Sequence, residues 1–182
     1  MPPEEMWESF FNAEQIFTEL EINSEISDIV EIGCGYGTFT IPAARMVKGK
    51  LYGFDIEQDM VEKVQEKQNI EHIGNIILRK RDVLADTTGL SYTSVDYVML
   101  FNILHNDRPD DFLNEAFRIL KSNGKVGILH WRSDIVTPRG PDLSIRPKPE
   151  QIIARINKQM FKVSKGPVLI DPFHFGIVLS KL

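Results

Sequence analysis

The sequence predicts an α/β domain with a mainly parallel sheet and helices on both faces. From residue 29 onward, apolar runs of strand length alternate with amphipathic stretches of helix length, as in βαβ units with right-handed crossovers. With 182 residues and 42% hydrophobic content, the chain can bury a substantial core. We therefore expect a single domain over residues 1–182.

The N-terminal stretch is expected to form a helical cap over residues 1–27. Residues 4–21 carry apolar side chains at helical spacing. Asn12 is suited to cap a second helix, so we expect a break in the helix near this residue. Three aromatic side chains of this stretch fit either a core stripe or a lid over a ligand: Trp7, Phe10 and Phe11.

Five strands and three helices are predicted in the alternating part of the chain. The strands are short apolar runs, and the fourth is almost continuously apolar, as expected of a central parallel strand. The strands are expected over residues 28–32, 50–55, 75–80, 94–101 and 126–131. The helices are expected over residues 38–47, 57–68 and 110–120, with a turn at 121–125.

The C-terminal part departs from this alternation. Prolines and glycines forbid regular structure through most of residues 133–149, and a long ordered loop in a compact domain is uncommon unless it is functional. We expect this loop to lie near a substrate. A helix is predicted over 150–160, and the extended runs 162–170 and 174–179 suit an antiparallel hairpin at the sheet edge.

The most informative motif follows the first strand and reads E-x-G-x-G-x-G, from Glu31 to Gly37. The glycines allow a sharp turn against which a ligand can lie, and the hydroxyl of Thr38 suits a helix N-cap. Dinucleotide-binding domains need G-x-G-x-x-G/A, a pattern in which Thr38 has no place. Glu31 would repel a pyrophosphate and suits a cation, such as an ammonium group near a sulfonium. An NAD-binding Rossmann oxidoreductase remains the alternative.

This motif resembles that of the class I S-adenosylmethionine (SAM) methyltransferases. Further segments look like a branch of small bacterial and archaeal members, related to quinone-biosynthesis C-methyltransferases: residues 7–11, 33–44, 131–132, 137–141 and 172–179. The resemblance implies a Rossmann-like fold with a mainly parallel seven-stranded sheet and an antiparallel C-terminal hairpin. It implies SAM as cofactor and S-adenosylhomocysteine (SAH) as product, and it leaves the acceptor open.

The resemblance also implies which residues hold the cofactor. The methionine part of SAM would lie on the glycine loop, against Glu31, Gly33, Cys34, Gly35 and Gly37. Asp55 would accept hydrogen bonds from both ribose hydroxyls, and a carboxylate is chemically suited to that task.

The adenine and the reacting methyl group would meet residues that follow the later strands. Ile56 would pack on the adenine face, Asp82 would accept from the adenine amino group, and the N–H of Val83 would bind the ring. Phe101 and Asn102 would line the sulfonium and its methyl group. Parallel-sheet proteins bind ligands at the carboxyl edge, where all five residues are expected.

A general base is needed only if the acceptor must lose a proton. His105 is the best-placed candidate because its loop follows the fourth strand, and His174 is the second. Arg132 is a candidate either for holding an acidic acceptor or for stabilising the loop that follows it. Asp107 and His130 are further candidates for the base, although a structural role is the more common one for a histidine in each of these positions.

Composition argues against several other functions. The single cysteine excludes a disulfide framework and the thiolate set of an arsenite methyltransferase. The absence of an 18-residue apolar run and the acidic N-terminus favour a cytoplasmic protein without a membrane span. We find no clustered acids that suggest a metal site.

The expected class of acceptor follows from the net charge and from the absence of one motif. A net charge of -5 disfavours a duplex nucleic-acid binder, and residues 102–105 lack the Pro-Pro-aromatic sequence of amino-nucleobase methyltransferases. Basic residues in the second half fit either a solvated surface or an anionic substrate. We expect a small-molecule acceptor; a macromolecular acceptor and a non-catalytic SAM-binding protein stay open, and the oligomeric state is not predicted.

Overall fold

The computed structural model describes residues 3–182, and these residues contain a single seven-stranded sheet with the order β3-β2-β1-β4-β5-β7-β6. The strands are β1 (Ile29–Ile32), β2 (Leu51–Asp55), β3 (Ile76–Lys80), β4 (Val95–Phe101), β5 (Leu120–Trp131), β6 (Phe161–Ile170) and β7 (His174–Lys181). The first five strands pair in parallel. β7 pairs antiparallel with both β5 and β6. The predicted mainly parallel sheet with an antiparallel C-terminal hairpin is confirmed.

Seven α-helices are present in the described residues: α1 (Glu4–Glu8), α2 (Ala13–Glu19), α3 (Thr40–Met46), α4 (Gln58–Ile70), α5 (Val83–Asp86), α6 (Pro109–Ile119) and α7 (Pro149–Arg155). Asn12 caps α2 as predicted, since its side chain accepts from the N–H of Gln15. Thr38 does not cap α3, because the helix begins later and its cap position is Phe39. The short helix α5 is not predicted by the sequence pattern. No helix among residues 3–182 is long and apolar enough to cross a bilayer.

The sheet is buried on both faces, and alternation along β4 illustrates this. Met99 and Phe101 pack in the core cluster that contains Phe17 of α2 and residues of α3. Val98 and Leu100 pack in the opposite cluster with residues of α6 and α7. Helices on both faces leave the carboxyl ends of the parallel strands as the open edge, where a ligand site is expected.

The strand β5 begins earlier than predicted. Val95 pairs with Leu120, but Tyr97 pairs with Lys125, so the register shifts between the two pairs. The predicted turn at 121–125 is therefore a bulge within the strand, and Asn123 in it has a φ of 62°. Asparagine tolerates this conformation better than most residues. The residues that suggested a turn in the sequence therefore form the bulge.

Candidate active site

The chain passes from β1 to α3 through a glycine loop in which three residues have positive φ. The values are 83° at Gly33, 52° at Gly35 and 81° at Gly37. A Cβ added at Gly37 would lie 3.1 Å from Cγ2 of Val64 in α4. Glycine is therefore required at residue 37 both for the turn and for the packing of the loop on α4.

Asp55 ends β2 with its carboxylate held in one orientation. Its Oδ2 accepts from the N–H of Gly35 at 2.8 Å, and its Oδ1 accepts from the N–H of Glu57 at 3.0 Å. A carboxylate has about four acceptor positions, so each oxygen can accept a further hydrogen bond. Asp55 lines the neighbouring cavity, and its remaining positions suit two hydroxyl donors.

Glu31 lies under the glycine loop and is 1% exposed. The hydroxyl of Thr40 donates to its Oε2 at 2.5 Å. Burial raises the pKa of Glu31 to about 8, and the charge of Asp55 adds to the rise. The carboxyl is thus protonated near neutral pH, and a cation placed beside it would favour the ionised form.

Two cavities lie side by side at the carboxyl edge of the sheet, with volumes of about 790 and 300 Å³. These sizes are in the range of small-molecule and cofactor sites. Residues from β2, the glycine loop and the loop after β4 line both cavities: Gly33, Asp55, Ile56, Asn102, Ile103 and His105. Ile56 is 58% exposed, so an apolar side chain is available to a ligand at the junction of the cavities.

Four side chains that line these cavities have buried polar atoms without a hydrogen-bond partner among residues 3–182. These atoms are Thr38 Oγ1, Asn102 Oδ1, His105 Nδ1 and Trp131 Nε1. Asn102 also has a φ of 56°, a conformation that non-glycine residues adopt mainly at turns and functional sites. Because buried polar groups are nearly always paired in folded proteins, these atoms indicate a polar ligand.

All predicted cofactor residues except Gly37 line one of the two cavities. The larger cavity meets Glu31, Gly33, Cys34, Gly35, Asp55, Ile56, Phe101 and Asn102. The smaller cavity meets Asp82 and Val83. Asp82 also caps α5, since its Oδ1 accepts from the N–H groups of Leu84 and Ala85. Its Oδ2 makes neither of these capping bonds.

The cysteine of the loop is a buried packing group. Burial raises the pKa of the Cys34 thiol, and the nearby Glu31 raises it further. A thiol with a raised pKa is a poor nucleophile near neutral pH. Among residues 3–182 no group of three or more His, Cys, Asp or Glu side chains could hold a metal ion.

The three predicted catalytic residues do not come together. His105 lines both cavities, and burial lowers the pKa of its imidazole. His174 is 1% exposed, and its ring packs on those of Trp131 and Phe11 at centroid distances of 4.3 and 4.6 Å. Trp131 lines the larger cavity, so the indole rather than His174 faces it.

Arg132 also lies away from the two cavities. Its guanidinium donates to Asp134 at 2.8 and 3.0 Å, and it lines a separate cavity of about 390 Å³ with Lys148 and Glu150. His130, a further candidate base, is fully buried, and its Nδ1 lies 3.1 Å from the carbonyl of Trp131. The structure therefore brings only His105 of these side chains to the open site.

Several lining residues were not predicted as site residues. Trp7 lines the larger cavity, as the lid interpretation requires, whereas Phe10 and Phe11 pack on Trp131, as the core interpretation requires. The other unpredicted lining residues include Thr38, Phe39, Met60, Trp131 and Arg139. Two of these residues could have been predicted from their place in the sequence, because Thr38 lies in the glycine motif and Trp131 ends a parallel strand.

Residues 29–124 match the model of a family described as a methyltransferase domain. A demethylmenaquinone methyltransferase of Lactobacillus johnsonii is 33% identical over 105 residues, which are 55% of this chain and 42% of the relative. A 23S rRNA uracil C5-methyltransferase of Alcanivorax borkumensis is 32% identical over 69 residues, which are 38% of this chain and 15% of the relative. The chain thus spans less than half the length of these curated relatives.

Two solved structures cover nearly the whole chain. A SAM-dependent methyltransferase from Aquifex aeolicus superposes with a TM-score of 0.85 over 98% of this chain and 94% of that one, at 21% identity. A provisionally assigned type 11 methyltransferase from Sulfolobus solfataricus is 29% identical, with a TM-score of 0.71 over 92% and 90% of the two chains. The first likeness establishes the fold, and the second extends the similarity to the sequence.

Proposed function

Because the chain belongs to the methyltransferase domain family, we propose that it transfers a methyl group from SAM to a small-molecule acceptor and releases SAH. One observation carries the proposal. Two adjacent cavities at the carboxyl edge of the sheet are lined by side chains whose buried polar atoms have no hydrogen-bond partner among residues 3–182: Thr38, Asn102, His105 and Trp131. A polar ligand of cofactor size would satisfy these atoms.

The residues around the two cavities suit the parts of SAM in order. The smaller cavity takes the adenine, with Asp82 accepting from its amino group and Val83 supplying a backbone N–H. Ile56 covers an adenine face with its exposed side chain. The fixed carboxylate of Asp55 accepts from the ribose hydroxyls, and Glu31 in the larger cavity meets the ammonium group.

When bound, SAM supplies a sulfonium methyl group that bonds to the acceptor's nucleophilic atom while the carbon–sulfur electron pair stays on sulfur. The chain's task is to hold the acceptor in line with that methyl group, at about 3 Å. Phe39, Phe101 and Trp131 make one end of the larger cavity apolar, which favours a step that neutralises charge.

His105 is the residue that we assign to proton removal where the acceptor has to lose a proton. It lines both cavities, and its Nδ1 has no partner among residues 3–182. Burial lowers its pKa, so the neutral ring that can accept a proton is the main form at pH 7. A proton taken by His105 then passes to solvent.

Two alternatives have less support. In an NAD-dependent oxidoreductase, the pyrophosphate would have to lie by the glycine loop, whose Gly35 N–H already donates to the carboxylate of Asp55. In a non-catalytic SAM-binding protein, no acceptor space is needed, yet the larger cavity has a volume of about 790 Å³ and is lined by Trp7 and Trp131 in addition to the residues that we assign to the cofactor.

Calorimetric titration with SAH and with NADH tests the proposal. We expect SAH to bind and NADH not to bind. Asp55→Ala should lower the affinity for SAH by about tenfold or more, which corresponds to about 1.4 kcal/mol for the loss of charge-assisted hydrogen bonds. Glu66→Gln removes an exposed carboxylate of α4 that lines neither cavity and should leave the affinity unchanged. Binding of NADH but not of SAH would overturn the proposal.

A further inference from the structure

Aromatic rings form part of the wall of the larger cavity. Phe39 and Phe101 meet edge-to-face at a centroid distance of 4.9 Å, and Trp7 lies 6.1 Å from Trp131. Trp131 is fully buried, and its Nε1–H has no acceptor among residues 3–182. Aromatic walls suit a flat, apolar ligand, and the unpaired indole N–H could donate to a hydrogen-bond acceptor of that ligand.

Arg139 lies at the edge of the same cavity. It is exposed, and its Nε contacts the Sδ of Met6 at 3.4 Å, where sulfur is only a weak acceptor. No carboxylate within residues 3–182 forms a salt bridge with it, whereas Arg132 in the same loop is paired with Asp134. Arg139 therefore has donors available for a ligand.

The acidic side chains of the cavity come from other elements. They are Glu31 of β1, Asp55 at the end of β2, and Glu57 and Asp59 at the start of α4. Of these elements, β1 and β2 carry the carboxyl groups that we assign to the cofactor, Glu31 and Asp55. The loop after β5, residues 133–149, supplies Arg139, Gly140 and Pro141 to the cavity, so the charge that this loop contributes is positive.

The position of Arg139 follows from a buried cation in its own loop. Arg146 is 7% exposed, and its guanidinium donates to the carbonyls of Pro141 at 2.8 Å, Arg132 at 2.9 Å and Arg139 at 3.3 Å. Gly140 has a φ of 105°, and an added Cβ would lie 2.8 Å from Cδ2 of Trp131. These contacts hold the loop against the indole and place Arg139 beside the aromatic walls.

We propose that the methyl acceptor is a flat, apolar small molecule that carries a carboxylate, and that Arg139 binds this carboxylate. A guanidinium can donate two parallel hydrogen bonds to a carboxylate, and the aromatic walls hold the apolar body. Arg139 is thus the specificity residue for the acceptor, in the role that the sequence suggested for Arg132. This proposal rests on the proposed methyltransferase function.

The test measures binding of matched acids and amides to the SAH complex. The probes are 4-hydroxybenzoate and 1-hydroxy-2-naphthoate, each compared with its carboxamide, and the signal is the fluorescence of Trp7 and Trp131, which line the cavity. We expect each acid to bind about tenfold tighter than its amide. Arg139→Gln should abolish this preference, and Arg139→Lys should keep part of it because the charge remains.

The controls separate this proposal from the proposed function. Arg155→Gln, an exposed change in α7 whose partner Asp110 lies 3.9 Å away, should leave the preference for acids intact. SAH affinity should be the same in wild type and Arg139→Gln. If SAH binds but acids and amides bind equally, the acceptor proposal fails and the cofactor proposal stands. If a short uracil-rich RNA binds in an Arg139-dependent way and the acids do not, the acceptor proposal also fails. If SAH does not bind, both proposals fail.

Discussion

The backbone N–H of Gly35 donates to the Oδ2 of Asp55 across 2.8 Å, and this contact joins the glycine loop to the end of β2. The two elements come from neighbouring parallel strands, β1 and β2. The loop that we assign to the methionine part of SAM and the carboxylate that we assign to the ribose are therefore fixed relative to each other before a ligand binds. Such preorganisation reduces the entropic cost of binding.

Glu31→Gln should stabilise the ligand-free protein as the pH rises. The folded-state pKa is about 8 against an ordinary value of 4.5, so between these values the unfolded chain has lost a proton that the folded chain retains. Wild-type stability therefore falls through this window, by a few kcal/mol at most. Thermal unfolding from pH 5 to 8 should show a growing advantage for Glu31→Gln; curves that stay parallel would contradict the burial argument.

SAH binding should release close to one proton per molecule at pH 7. The cause is ionisation of Glu31 when an ammonium group is placed beside its carboxyl, because an opposite charge favours the ionised form. Calorimetry in two buffers with different ionisation enthalpies counts the protons. In Glu31→Gln, the number of protons released per SAH bound should fall to near zero. If this number is unchanged in the variant, the proton comes from another group and the prediction is wrong.

Gly37→Ala should destabilise the protein by about 1–2 kcal/mol, because an alanine in the left-handed region costs about that much. The new Cβ would also lie 3.1 Å from Cγ2 of Val64. Gly74 is the matched control, since its φ lies outside the positive range and a Cβ there would meet nothing within 4 Å. Gly74→Ala should change the free energy of unfolding by less than about 0.5 kcal/mol. Equal effects of the two changes in urea unfolding would refute the loop argument.

His174→Phe should remove part of the acid sensitivity of folding without changing SAH affinity. Burial lowers the pKa of His174 to about 3 from an ordinary 6.5. Between these values the unfolded chain holds a proton that the folded chain does not, so wild-type stability rises with pH through this window. Thermal unfolding between pH 4 and 7 should have a shallower slope in the variant. Loss of SAH binding in His174→Phe would contradict the assignment of His174 to the core and would indicate a role in the site.

The local features of this fold could be predicted from sequence, because each depends on neighbouring residues. Strand runs, the glycine motif and the cap at Asn12 all follow from spacing along the chain. The residues that end or follow the parallel strands, such as Asp55, Asp82 and Asn102, line the cavities because parallel strands end at a common edge.

Side-chain direction in the C-terminal part could not be predicted in this way. His174 belongs to β7, which lies between β5 and β6 in the sheet. The pairing of β7 with β5 places His174 opposite Trp131. Arg139 takes its position from the three carbonyl contacts of Arg146. These contacts form only in the folded loop and have no periodic signal in the sequence.

A crystal structure of the SAH complex tests the central claim most directly. The account predicts adenine in the smaller cavity, beside Asp82 and Ile56, with both ribose hydroxyls on the carboxylate of Asp55. The homocysteine part should cross into the larger cavity toward Glu31, with its sulfur facing the aromatic end. Adenine in the larger cavity, or SAH bound away from the carboxyl edge of the sheet, would contradict the account.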